Sequence, residues 1–191
     1  MTTSRCSASL RGVVRRPLAI PLLLLTTLCP LLVSASAEAF ERQWHAGADL
    51  GMAAVSYNGS IFGGYAAGVH ASYGLNDTFN AMVEVSGSMH PVYVGYPALT
   101  VGSGAVGVAY TLDLLRWVPY AGVLVGGYHF RGANLQESQW KLGFQVALGL
   151  DYSFDRSWAV GAQIRYHTFS DDPLSAHYLT TCLRAEYLWG W

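Results

Sequence analysis

From residue 43 to the carboxyl end, apolar and polar side chains alternate with a period of two, the repeat of a strand with two unlike faces. Eight segments carry the pattern: roughly 43–55, 63–75, 78–88, 99–112, 119–130, 139–152, 157–168 and 177–191. In the sixth, Trp140, Leu142, Phe144, Val146, Leu148, Leu150 and Tyr152 share one face, and Lys141, Gly143, Gln145, Ala147, Gly149 and Asp151 share the other. The seventh sets Trp158, Val160, Ala162, Ile164 and Tyr166 against Gly161, Gln163, Arg165 and His167. The first and third repeat the scheme around Asp49 and Glu84, and the eighth around Arg184 and Glu186, ending on Trp189 and Trp191. Segment five, Pro119 to Phe130, has apolar residues or glycine on both faces, so its phase stays open.

Strands in soluble proteins usually run about 5–6 residues. Most of these segments exceed the ~9–11 residues with which a tilted strand crosses a bilayer. If both ends of the mature chain lie on the periplasmic side, odd segments run outward and even ones return. The positions meeting the periplasmic membrane edge are then Trp44, Tyr73, Phe79, Tyr110, Tyr120, Tyr152, Trp158 and Tyr187. All are aromatic, and we assign each to the lipid face of its strand. The opposite edge has Tyr65, Tyr128, Trp140 and Tyr166. Aromatic rings favour such an edge because the ring is apolar while its N–H or O–H reaches water and headgroups. The connections are unequal too: Asn76-Asp77, Ser153–Arg156 and the somewhat longer Asp113–Val118 at one end, the wider Ser56–Phe62, Met89–Ala98, Arg131–Ser138 and Phe169–Ala176 at the other. Lipid tolerates no open sheet edge. The expected fold is therefore all-β, an eight-stranded antiparallel up-and-down transmembrane β-barrel.

The amino end is of another kind. Residues 1–16 hold Arg5, Arg11, Arg15 and Arg16 and no acid, Leu18 to Val33 is apolar, and Ser34-Ala35-Ser36-Ala37 supplies small residues for cleavage. Residues 1–37 read as a cleaved signal peptide and 38–191 as the barrel, with cleavage after Ala39 as the alternative. Four of the eleven Lys/Arg leave with the leader, so seven face twelve Asp/Glu and the mature net charge is −5. No basic footprint for nucleic acid remains. Cys6 and Cys29 leave as well, and Cys182 has no partner for a disulfide within the chain.

Taken over residues 40–191, the alternation, the aromatic edges and the terminal Trp189 and Trp191 resemble the small eight-stranded bacterial outer-membrane β-barrel family of the OmpA/OmpX type. The resemblance implies residence in the cell outer membrane with both mature termini periplasmic. It implies outer-membrane lipid as the surrounding partner, and periplasmic chaperones and the barrel assembly machinery as partners during biogenesis, with the aromatic carboxyl end serving as the assembly signal.

The inward phases gather Asp49, His70, Glu84, Lys141, Asp151, Arg165, Arg184 and Glu186. An eight-stranded barrel is just wide enough to be filled by side chains, and buried charges must pair, so these residues read as a plugging charge network. By depth, Asp49 and Arg184 should pair on the closing strands. Metal chemistry is not expected, since His70, His129, His167 and His177 lack close ligand spacing. Some barrels of this size are lipid A deacylases with a His-x-Ser pattern. In His167-Thr168-Phe169-Ser170, followed by Asp171 and Asp172, two residues intervene and His and Ser fall on opposite faces. We therefore expect a monomer with no catalytic site and no cofactor, acting as a structural or surface-interaction barrel. A narrow passage for small solutes or ions is the alternative, and a lipid A-modifying enzyme a further one.

Overall fold

The computed structural model describes residues 42–57, 60–91, 97–132, 137–170 and 177–190, all within one compact unit, Ala37–Trp191. The leader and both of its cleavage sites fall outside the described residues, as do Asp171, Asp172 and Trp191. Eight strands follow in chain order: β1 (Trp44–Tyr57), β2 (Ser60–Gly74), β3 (Phe79–His90), β4 (Leu99–Thr111), β5 (Trp117–Arg131), β6 (Gln139–Ser153), β7 (Trp158–Phe169) and β8 (Tyr178–Trp189). Each pairs antiparallel with its neighbour, and β1 also pairs with β8, so the sheet closes into a barrel with no free edge. At 12–15 residues the strands are long enough to cross a bilayer while tilted. β1 and β2 run on to the pair Tyr57↔Ser60, so their connection is shorter than the expected Ser56–Phe62 link. Paired backbone extends each hairpin further than side-chain alternation alone indicates.

Alternation fixes what points where. In β8 buried and exposed positions alternate without a break from Tyr178 to Trp189. The outward face carries Leu50, Val69, Val83, Val106, Val123, Phe144, Leu148, Ile164 and Leu183, all exposed. An apolar belt of this extent belongs in hydrocarbon.

Strand β5 settles the phase left open and corrects two assignments. Val118, Tyr120, Leu124, Tyr128 and Phe130 are buried inside, whereas Trp117, Val123 and Val125 face out. Tyr120 is therefore an interior residue, not a member of the aromatic girdle, and Tyr128 is likewise inside. The reason lies across the hairpin. Tyr120 registers opposite Gly149 of β6, and a Cβ there would overlap the Tyr120 ring. A Cβ on Gly143 would stand 2.8 Å from Tyr128 Cε2. The glycines of β6 leave recesses that the tyrosines of β5 fill. Trp117 takes the girdle place, its ring 4.9 Å from that of its strand partner Tyr152.

The connections at the end where β1 starts and β8 stops, the terminus end, are tight turns. Asn76 Oδ1 accepts the N–H groups of Thr78 and Phe79, and Asp155 Oδ1 accepts those of Ser157 and Trp158. Between β4 and β5, Leu114 bridges Trp117, and Leu115 holds a left-handed backbone with φ 66°. A side chain in that conformation costs on the order of 1–3 kcal/mol of strain, and glycine would avoid it.

Candidate functional site: the interior of the barrel

Four layers fill the lumen. At the terminus end a cavity of about 30 Å³ lies among Ser72, Asn80, Thr111, Ser153 and Asp151. That is room for roughly one water with polar partners around it.

The second layer is ionic and buried. Arg165 from β7 spans the lumen, setting Nη2 2.7 Å from Asp49 Oδ2 of β1 and Nη1 2.9 Å from Glu84 Oε1 of β3. His70 of β2 places its ring nitrogens 3.1 Å from Asp49 Oδ2 and 2.7 Å from Glu186 Oε1. Arg184 donates to Glu186 and to the Tyr120 hydroxyl, lies over the Tyr120 ring, and has Nε 3.6 Å from Asp151 Oδ1. Gln145 Nε2 donates to Glu84 Oε2 at 3.1 Å, and Tyr120 Oη donates to Gln163 Oε1 at 2.8 Å. In a medium of low dielectric such charges persist only when paired and hydrogen-bonded.

The third layer joins tyrosine to histidine. Tyr178 donates to Ser88 Oγ at 2.9 Å, Ser88 Oγ lies 2.9 Å from His90 Nε2, and His90 Nδ1 meets the Phe62 carbonyl at 3.1 Å. That carbonyl can only accept, so His90 donates to it from Nδ1, and as a neutral imidazole it accepts a hydrogen bond from Ser88 Oγ at Nε2. Tyr128 and Thr180 hold the two nitrogens of His167 at 2.9 and 3.2 Å. Above these lies an apolar lid of Val55, Leu99, Val101, Phe130 and Phe169, with Phe62 packed against it.

The residues expected inside divide as follows. Asp49, His70, Glu84, Asp151, Arg165, Arg184 and Glu186 come together in the ionic layer. Lys141 does not join them. It shares their phase but sits opposite Tyr128 nearer the loop end, half-buried, and makes no ion pair among the described residues. Asp49 and Arg184 are direct register partners on the closing strands, as depth predicted, yet they choose other partners. Arg165 and His70 take Asp49, the first because a guanidinium on a three-carbon stem reaches across a narrow lumen, and Arg184 takes Glu186, its same-face neighbour two residues along β8. His45, whose Nδ1 lies 3.6 Å from Glu186 Oε2, was missed as a member, as were Tyr120, Gln145 and Gln163. A polar residue on an inward phase was the available signal for His45, Gln145 and Gln163, while Tyr120 needed the phase of β5.

His167 is buried, while Ser170 is exposed and donates to the Leu142 carbonyl, so the two form no dyad. Ser88 Oγ and His90 Nε2 are within hydrogen-bond distance, and both residues are buried. The ring of His129 lies 4.7 Å from that of Trp140, tilted by 41°, and His177 lies 2.5 Å from the Tyr166 hydroxyl, both apart from the lumen histidines.

On the outside, aromatic rings sit in cross-strand pairs around the terminus end. Trp44 meets Tyr73 at 4.7 Å and Trp189 at 6.4 Å, Trp158 meets Tyr187 at 5.1 Å, and Phe79 meets Tyr110 at 5.5 Å. Trp189 thus belongs to the girdle itself.

The family model for the outer membrane protein beta-barrel domain matches residues 21–182. Among curated protein sequences, none matches the chain. Three solved structures are similar in fold. Neisserial surface protein A superposes with a TM-score of 0.66 at 15% identity, over 75% of this chain and 96% of its own. The attachment invasion locus protein Ail of Yersinia pestis, in complex with the heparin analogue sucrose octasulfate, gives 0.59 at 13% identity, over 78% and 99%. The N-terminal barrel domain of Pseudomonas aeruginosa OprF gives 0.56 at 12% identity, over 78% and 98%. At these identities the likeness is one of fold.

Proposed function

Because the chain belongs to the outer membrane protein β-barrel domain family, its place is the outer membrane, and there we propose that it acts as a monomeric, plugged scaffold. In this reading both mature termini are periplasmic, and the loops between β3 and β4, β5 and β6, and β7 and β8, whose residues 92–96, 133–136 and 171–176 lie outside the described residues, are the outward contact surface. The aromatic carboxyl end, Trp189 and Trp191, is what the assembly machinery reads during biogenesis, and chaperones carry the chain to it.

The observation that carries the plugged reading is Arg165, held between Asp49 and Glu84 across the lumen and roofed by the Phe130–Phe169 lid. A hydrated ion moving through would have to break those pairs and part a packed apolar layer. The enclosure of His90 and Ser88 also supports a non-enzymatic role. Planar-bilayer recording tests the proposal. The purified protein should give no steady conductance, and the double variant Arg165→Ala, Phe169→Ala should give more than the parent. Large stable single-channel steps in the unmodified protein would reject the plug and promote the narrow passage.

A further inference from the structure

All three turns at the terminus end carry apolar residues beyond the aromatic girdle. Leu75 opens the β2–β3 turn, Leu114 and Leu115 form the β4–β5 turn, and Phe154 opens the β6–β7 turn, each side chain exposed. Two of the turns are built by Asn76 and Asp155, whose side chains satisfy the backbone, so the apolar residues are not needed to make them. The third spends backbone strain. Leu115 holds φ 66° where glycine would be at ease, its N–H bonded to Asp113, and its side chain is 95% exposed. An unbroken run of rings connects this end to the girdle, Trp117 to Tyr152 at 4.9 Å and Tyr152 to Phe154 at 5.3 Å.

We propose that these turns form a second membrane-contacting ring, embedded in the lipid headgroup layer of the leaflet they face. Lipid is the occupant because the ring continues the lipid-facing belt. The depth agrees. Leu114 pairs with Trp117, so Leu115 at the tip of that turn stands about one residue's rise, roughly 2–4 Å, beyond the girdle. The headgroup region adds roughly 5–8 Å beyond the hydrocarbon on each side. With the girdle at the hydrocarbon edge, the turn tips lie within the headgroups. Arg116 and Arg156, exposed on the same turns, can extend toward phosphates while their stems stay in the apolar zone.

The test uses the full barrel in phosphatidylcholine nanodiscs, one barrel per disc, with both faces open to solvent. Cys182 is replaced by Ala, and Leu115→Cys carries a nitrobenzoxadiazole label. Emission should shift to the blue, and iodide quenching should fall at least three-fold relative to the same label on the urea-unfolded chain. Quenching equal to the unfolded chain would place the turn in water and overturn the proposal. A blue shift seen only with two barrels per disc, or only after a periplasmic extract is added, would assign the ring to a second copy or to a protein and overturn it equally. Leu75→Cys gives the same reading from an unstrained turn should the Leu115 variant fail to fold.

Discussion

Arg165 shows what a single residue does in a lumen this narrow. Two carboxylates depend on one guanidinium, each within 2.9 Å of it and buried. Arg165→Ala leaves Asp49 only its contact with His70 and Glu84 only its hydrogen bond from Gln145, and unfolding in vesicles by urea should show a loss of about 3–5 kcal/mol. Arg165→Lys keeps the charge but not the fork, and should lose less. Equal stability of the Ala variant and the parent would remove the network from the list of things that hold the barrel together. Gly149 is the complementary case, a missing side chain that another residue uses. Gly149→Ala drives a methyl into the Tyr120 ring, which Arg184 and Gln163 hold in place, and should cost about 1–3 kcal/mol. Trimming the ring with Tyr120→Leu in the same chain should recover part of that loss, and strict additivity would show that the two do not touch. At this scale the alternation revealed the depth and facing of Asp49 and Arg184, but not their partners. Depth follows from counting along a strand, whereas partner choice depends on how far an arginine reaches across the lumen.

Whole strands were legible where their faces differ in chemistry. β6, β7 from Trp158 to His167 and β8 from Leu183 to Tyr187 alternate apolar residues with polar or small ones, and their observed facing agrees. β5 was not legible alone, because Ala121, Val123 and Val125 on one face resemble Gly122, Leu124 and Gly126 on the other. Its phase is set by β6, through the recesses at Gly143 and Gly149, which no reading of β5 in isolation contains. A substitution pair tests the facing of β6 as an element. Leu148→Arg puts a cation on the lipid face near mid-strand and should reduce folding stability in bilayers by about 2–4 kcal/mol. Ala147→Ser, one residue away on the inner face, should change it little. Similar losses at the two positions would mean that the strand is not sided as described.

For the molecule as a whole, one expectation concerns which end faces out. A protease site inserted between Glu137 and Ser138 should be cut on intact cells, and one at Asn76-Asp77 only after the envelope is opened. Cleavage at Asn76-Asp77 in intact cells would invert the proposed orientation. A different consequence follows from the closure of β1 onto β8. The acids Asp49 and Glu84 and the ring of His70 lie in the first three strands, while Arg165, Arg184 and Glu186 lie in the last two. A chain that entered lipid strand by strand would carry Asp49, Glu84 and His70 into oil long before their partners Arg165 and Glu186 arrived. Only a sheet already rolled, or rolling as it enters, meets both halves at once. The charges paired inside the lumen therefore also penalise every partly inserted state, so that insertion and ring closure become one event.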